Sequence, residues 1–378
     1  MTTVDGGVGL MALPEGGRVD FGRMRFERRR RVLDAMDRFG LDALVLGRPA
    51  NVTYASGARQ LWTAGARPFG PACIVVAETE RVHLLSVWDE GVPAEISHED
   101  LFGLSWNPAI LAASIAALPG LDRCRQIGTD SLSPGFPHLI AGISPDASIV
   151  DAGPALWWAR ATKSDDELTA VITATAIAEA ALSALREAVE PGVTERALVG
   201  VYTSTIARLG APTPPTEGVV CAAGDGRLRQ LASGRPIGAG ELVVLNPGAM
   251  FGGYEGGVGR TVVAGGSPSA AQVDLASACR AGVEAVVAAC RVGSTGSDLR
   301  RAWEGSGPSL PTVPLVHGLG LGMEPPIVAG DGVGDAAVLE AGMVLAVQGW
   351  VDGVLERDVV TVTADGPRVL TRARPGLG

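Results

Sequence analysis

The sequence predicts an α/β domain followed by a second domain of the α+β class. Three observations lead to this prediction. Helical and strand-like segments alternate in the first part of the chain, as they do in α/β domains. A helix start signal at Ser164 then marks a boundary, and β-prone runs bounded by glycine or aspartate dominate the rest of the chain. The 378 residues, 47% of them hydrophobic, are enough for two domains with a large core.

The N-terminal domain is predicted to span residues 21–155, after a flexible tail at residues 1–20. Its first element is a helix over residues 24–39, which Gly40 ends. A strand over residues 41–46 and a turn at residues 49–51 follow. Two further strands at residues 72–77 and 82–88 and a helix at residues 107–118 complete the pattern.

The C-terminal domain is predicted to span residues 160–378. Ser164 and Glu167 form a capping box, in which the hydroxyl and the carboxylate each bond a free backbone N–H, so a long helix begins here and ends before Pro191. Thr194 and Thr295 each follow a glycine turn and precede a helix start, which suggests an internal duplication. Strands are expected at residues 218–222, 241–245, 260–264, 343–347 and 359–363.

Composition excludes several functional classes. The formal charge of −10 argues against nucleic-acid binding, which needs a basic surface. The five cysteines form no CxxC pair, which predicts reduced thiols in a cytoplasmic protein. No apolar run has the length expected of a membrane span, and residues 1–20 do not resemble a secretory signal, so we expect no membrane association. The four arginines at residues 28–31 predict a solvated helix face.

Six segments within residues 160–378, in the right order, resemble the family of creatinase, prolidase and methionine aminopeptidase. They are Arg160 to Leu168, Glu241 to Ala249 with Gly253-Tyr254, Arg260-Thr261, His317 to Pro326, Leu339 to Val344, and Asp358 to Gly366. The resemblance implies an α/β N-terminal domain plus an α+β pita-bread (creatinase/aminopeptidase-like) C-terminal domain. The N-terminal half resembles creatinase and prolidase more loosely, at residues 40–44 and 51–54.

The resemblance also implies a dinuclear metal site, but this sequence departs from it. The two hairpin aspartates of the family fall on Asn246 and Gly257, and its two later glutamates fall on Gln348 and Arg357. The histidine ligand remains as His317. Amides coordinate hard cations weakly and arginine carries a fixed positive charge, so we expect neither a metal nor another cofactor.

The same departures suggest an anion-binding pocket, because a guanidinium presents a planar fork to a carboxylate. Arg357 is the expected anchor. His317 is either the proton-transfer group or a hydrogen-bonded core residue, and Glu324 is either its partner carboxylate or a loop residue without a role. The resemblance places one assisting histidine of the family near Gln230 and the other at Met323 or Glu324, depending on alignment. The remaining candidate substrate-binding residues are Asn246, Gln348, Gln230, Arg260, Tyr254, Arg59 and Trp62.

Three functions remain open. The first is a metal-independent, creatinase-like enzyme that hydrolyses a C–N bond, or performs a related elimination or rearrangement, on a small amino-acid-like carboxylate or short peptide-like substrate. The second is a non-catalytic pita-bread binding protein. The third is an Xaa-Pro-type metallopeptidase, which follows from fold analogy. Similarity to relatives with this N-terminal domain implies a homodimer.

Overall fold

The computed structural model describes residues 19–58, 72–86, 91–103, 107–130, 136–215, 219–222, 229, 231–311 and 313–377. The chain divides into two compact units, with the division between Arg160 and Ala161.

Unit 1 is built around one mixed six-stranded sheet with the strand order β4-β3-β2-β1-β5-β6. Its strands are β1 (Ala43–Leu46), β2 (Cys73–Val76), β3 (Arg81–Leu85), β4 (Leu101–Phe102), β5 (Gln126–Thr129) and β6 (Ser148–Asp151). Its helices are α1 (Phe21–Phe39), α2 (Pro49–Ser56), α3 (Pro108–Ala116), α4 (Phe136–Ile143) and α5 (Gly153–Ala161). The α/β prediction is therefore confirmed.

Two details of unit 1 differ from the predictions. Residues 49–51 do not form a turn but begin α2, because proline at the first helical position has a suitable φ and lacks only an N–H that the helix would not use. Arg28 is buried and stacks over the ring of Tyr54, so the arginine run at residues 28–31 is not wholly a solvated face.

Among its described residues, unit 2 contains four helices and ten strands. The helices are α6 (Asp165–Ala188), α7 (Glu195–Arg208), α8 (Ala270–Ala289) and α9 (Gly296–Gly305). The strands are β7 (Val219–Ala222), β8 (Leu242–Asn246), β9 (Gly248–Phe251), β10 (Tyr254–Gly257), β11 (Arg260–Val263), β12 (Val316–Gly320), β13 (Gly322–Val328), β14 (Val344–Val351), β15 (Val354–Thr363) and β16 (Gly366–Val369). They form sheets with the orders β10-β9, β11-β8-β7 and β13-β12-β14-β15-β16.

The predicted helix starts of unit 2 are confirmed. Ser164 and Glu167 form the capping box of α6, and Thr194 and Thr295 cap α7 and α9 through their hydroxyls. On length and composition alone α6 could cross a bilayer, but it packs against β9 and β10. The packing is close at Gly256 of β10, where a Cβ would collide with the α6 backbone at Ala174.

The core of unit 2 lies between α8, α9 and the five-stranded sheet, around the fully buried Trp303. A second buried feature is a clasp made by Arg260 of β11. Its guanidinium donates to the carbonyls of Arg357, Ala373 and Arg374 and to Asp358 at distances of 2.7–3.2 Å. The clasp ties the segment after β16 to the back of β15.

Candidate active site

Strand pairing brings the five positions of interest together. Gln348 of β14 lies directly opposite Arg357 of β15, and His317 of β12 lies opposite Ala346 of β14. Because cross-strand partners and alternate residues project to the same face, His317, Gln348 and Arg357 share one face of the sheet. An antiparallel bridge between Gly259 and Arg357 then joins this sheet to the chain that carries Asn246 and Gly257.

Arg357 occupies the centre of this arrangement. It is 7% exposed, and a Cβ at Gly257 would lie 3.2 Å from its Nη1 and 3.3 Å from its Cζ. The absent side chain at position 257 therefore makes the space that the guanidinium fills. Its Nε atom is buried and has no hydrogen-bond partner among the described residues.

Glu255 is the partner of Arg357, and it is not among the site residues expected from the sequence. Nη2 of Arg357 donates to Oε1 of Glu255 at 3.2 Å, and both side chains are about nine-tenths buried. Strand periodicity contained a signal, since residue 255 precedes Gly257 by two positions on β10 and therefore shares its face. Residue 255 is not one of the family's ligand positions, so the resemblance does not indicate this carboxylate.

His317 is buried and neutral near pH 7. Burial and, secondly, the Arg357 charge lower the pKa of His317 to about 4, while the Gly318 carbonyl and Glu324 act in the opposite direction. Its Nδ1 lies 2.9 Å from the carbonyl oxygen of Gly318, so the proton of the neutral ring belongs on Nδ1. Nε2 is then the acceptor that the imidazole offers.

Glu324 is near His317 but does not form a hydrogen bond with it. Its carboxylate forms a buried ion pair with Lys163 at 2.8 Å and accepts the backbone N–H of Leu321 at 3.1 Å. The structure therefore gives Glu324 a different partner from the histidine that the sequence suggests. The reason is local, because the glycine at position 320 lets the carboxylate fold back over its own loop.

Two amide side chains, of Gln348 and Asn246, lie beside Arg357. Nε2 of Gln348 donates to the carbonyl of Pro314 at 2.7 Å, so the amide oxygen is the atom of Gln348 that remains to accept a bond from a ligand. Oδ1 of Asn246 is buried and lacks a hydrogen-bond donor within the part of the chain that the structure describes. A Cβ at Gly259 would lie 3.2 Å from this oxygen and 2.8 Å from Cβ of Arg357, so Asn246 and Arg357 are neighbours.

Other expected site residues lie elsewhere. The structure does not bring Arg260 into the pocket, because backbone carbonyls and Asp358 use its guanidinium in the clasp. Tyr254 is also turned away from a ligand, since its hydroxyl donates to Glu167 at the start of α6. Arg59, Trp62 and Gln230 lie outside the described residues.

The residues at this site do not fit a pair of divalent cations. Hard cations need several anionic oxygen ligands, whereas all four carboxylate positions of the family carry neutral or cationic residues here. The guanidinium beside Gly257 adds a fixed positive charge at the same place. Among the residues that the structure describes, no group of three or more histidine, cysteine, aspartate or glutamate side chains is arranged to hold a metal.

Comparison with known families supports the fold. The sequence profile of metallopeptidase family M24 matches residues 170–364, and that of the creatinase/prolidase N-terminal domain matches residues 28–162. The chain is 26% identical over 370 residues to an Xaa-Pro dipeptidase from Pyrococcus horikoshii, which covers 93% of this chain and 98% of the relative. It is 29% identical over 251 residues to methionine aminopeptidase 1 from Mycobacterium tuberculosis, covering 55% of this chain and 94% of the relative.

Solved structures agree with these matches. The prolidase from Pyrococcus horikoshii superposes with a TM-score of 0.77 at 22% identity, covering 93% of this chain and all (100%) of the prolidase. The Xaa-Pro dipeptidase from Bacillus anthracis gives a TM-score of 0.76 at 20% identity, with 93% and 99% covered. These similarities confirm the two-domain architecture of an N-terminal creatinase domain and a C-terminal pita-bread domain.

Proposed function

The chain belongs to metallopeptidase family M24, and we propose that it acts at the place where that family binds its metals. We propose further that it acts there without a metal, on a small amino-acid-like or peptide-like carboxylate. The observation that carries the proposal is the buried guanidinium of Arg357 beside Gly257, where the family has carboxylate ligands. A fixed positive charge in that place attracts an anion and repels a cation.

Arg357 is suited to anchor a carboxylate. Glu255 uses one N–H of the guanidinium, which has five, and Nε of Arg357 has no acceptor among the described residues. A buried donor without an acceptor is costly, so a ligand carboxylate that supplies one gains affinity.

His317 is the group that would move protons in a hydrolysis of a C–N bond. Its neutral Nε2 would accept a proton from the attacking water and return it to the leaving nitrogen. A pKa of about 4 makes the free imidazole a weak base. A bound carboxylate would offset the charge of Arg357, which is the second cause of that low pKa, and so strengthen the base in the complex.

The relatives favour a second candidate, which is hydrolysis of Xaa-Pro dipeptides with bound metal. The observation behind it is the match to the Xaa-Pro dipeptidase from Pyrococcus horikoshii over 93% of this chain. The low pKa of His317 and the pairing of Glu324 with Lys163 favour a third candidate, a binding protein without turnover.

One experiment separates the three candidates. The purified protein is incubated with Mn²⁺, Co²⁺ or Zn²⁺, desalted and analysed for metal, and it is then assayed with Xaa-Pro dipeptides and with a panel of small carboxylates. Arg357→Gln is the test variant, and Arg301→Gln, at an exposed arginine on α9, is the matched control.

We expect substoichiometric metal, carboxylate binding that Arg357→Gln reduces at least tenfold, and product that forms in the presence of chelator. Two bound ions with chelator-sensitive dipeptide hydrolysis would instead establish the metallopeptidase. Binding with no product from any compound of the panel would establish the binding protein.

A further inference from the structure

We infer that Arg357 and Glu255 together form a receptor for a free α-amino acid, in which Arg357 receives the carboxylate and Glu255 the ammonium group. The inference rests on the proposed function, because it takes the pocket around Arg357 as the place where the ligand binds. It adds a ligand class that the metal-ligand positions alone do not indicate.

The ion pair between the two side chains leaves some of their hydrogen-bonding groups unused. Its one contact, from Nη2 to Oε1, is 3.2 Å long, whereas charge-assisted hydrogen bonds are typically about 2.7–2.9 Å. A guanidinium and a carboxylate that satisfied each other fully would meet through two parallel bonds. Arg357 and Glu255 therefore each keep hydrogen-bonding positions that a ligand can use.

Two unsatisfied atoms beside the pair have opposite character. Nε of Arg357 is a donor without an acceptor, and Oδ1 of Asn246 is an acceptor without a donor, both within the described part of the chain. The two side chains are neighbours, since Cβ of Arg357 and Oδ1 of Asn246 both border Gly259. A ligand carboxylate would accept a hydrogen bond from Nε of Arg357. A ligand ammonium group, which has three N–H donors, would donate to Oδ1 of Asn246 while facing Glu255.

Charge balance favours a zwitterion over a simple anion. Two ion pairs, Arg357 with Glu255 and Lys163 with Glu324, lie near a neutral His317. A simple anion would bring an unbalanced charge into this buried site, and Glu255 would repel it. A zwitterion adds no net charge and offers each member of the pair a partner of opposite sign.

The distance within the pair indicates how far apart the two charges of the ligand are. Because Arg357 and Glu255 are in contact, the complementary groups of the ligand must also be close neighbours. A free α-amino acid carries both on one carbon atom, whereas a dipeptide separates them by a peptide unit. The geometry thus favours the amino acid over the dipeptide.

The test uses the full-length protein and titration calorimetry with the twenty free α-amino acids, each beside its N-acetyl derivative, its amide and its dipeptide with proline. We expect at least one free amino acid to bind, and its three derivatives to bind at least tenfold more weakly. In Glu255→Gln the free amino acid should lose at least tenfold in affinity, and the N-acetyl derivative should lose nothing. Glu304→Gln, at a carboxylate of the surface of α9, is the matched control.

The outcomes distinguish this inference from the proposed function. If N-acetyl amino acids bind wild type as tightly as free ones, the zwitterion receptor is wrong, while a carboxylate anchored by Arg357 stands. If simple carboxylates bind and no free amino acid does, the receptor is equally wrong. If no carboxylate of any kind binds, the proposed function fails with it. The wild-type panel alone decides these cases, so the result does not depend on the folding of Glu255→Gln.

Discussion

Glu255 and Arg357 allow a quantitative test of how deeply the pair is buried. Both side chains are about nine-tenths buried and their charged atoms are 3.2 Å apart. With an effective dielectric constant near 20 the direct attraction is about 5 kcal/mol, and desolvation of the two groups offsets part of it. Removing one partner leaves the other charged and buried, so Glu255→Gln should lower the free energy of unfolding by about 3 kcal/mol.

A double-mutant cycle isolates the interaction. We expect Glu255→Gln and Arg357→Gln each to destabilise the protein, and the double variant to be less destabilised than the sum of the two by about 2–3 kcal/mol. The measurement is urea unfolding, followed by far-UV circular dichroism. Salt should change this coupling energy little, because the pair is desolvated.

The matched control is the ion pair of Arg123 and Glu78, whose side chains are 59% and 57% exposed. Exposed pairs contribute roughly 0–1 kcal/mol, so the same cycle there should give a coupling energy below about 1 kcal/mol. Equal coupling energies for the two cycles would refute the reasoning, because the guanidinium of Arg357 would then lie in solvent.

Three further predictions concern metal binding, electrostatics and pH. The quadruple variant Asn246→Asp, Gly257→Asp, Gln348→Glu and Arg357→Glu restores all four family carboxylates and should bind two divalent ions, detected by elemental analysis. Each ion at a hundred times its Kd should add about 2.7 kcal/mol to the free energy of unfolding. The triple variant that keeps Arg357 should bind none. In Arg357→Gln the pKa of His317 should rise above about 4 but stay below 6.5, because burial, the larger cause of the low value, remains; an unchanged value in an NMR titration of the imidazole would contradict the proximity of the two groups. Burial raises the pKa of Glu195, but bonds from Arg229, Ser233 and Ala222 outweigh it and lower the value from 4.5 to about 2. The stabilisation from Glu195, up to about 3 kcal/mol, should therefore be present above pH 4.5 and be lost as the pH falls towards 2, whereas Glu195→Gln should not show this loss in acid denaturation experiments.

Local sequence signals predicted much of the fold. Capping residues such as Ser164 and Thr295 bond the backbone within the next turn, so their effect depends on neighbours that the sequence displays. The spacing of Asn246, Gly257, His317, Gln348 and Arg357 along the family motifs also indicated the pocket, because the strand register is common to the fold.

Long-range partners were not predictable in the same way. Glu324 faces Lys163, which is 161 residues away, and Arg260 faces carbonyls more than 100 residues away. Local periodicity describes which face a side chain occupies but not which distant group meets it there. Glu255 shows the same limit, since its strand face was readable and its partnership with Arg357 was not.

The clasp around Arg260 can form only after residues 373–374 have been synthesised. The carbonyl that Arg260 reaches at Ala373 lies 113 residues further along the chain. During synthesis the guanidinium of Arg260 therefore leaves the ribosome well before these carbonyl acceptors are made. Until that segment has been made, Arg260 lacks two of its carbonyl acceptors, and the clasp does not yet join β15 to the chain after β16.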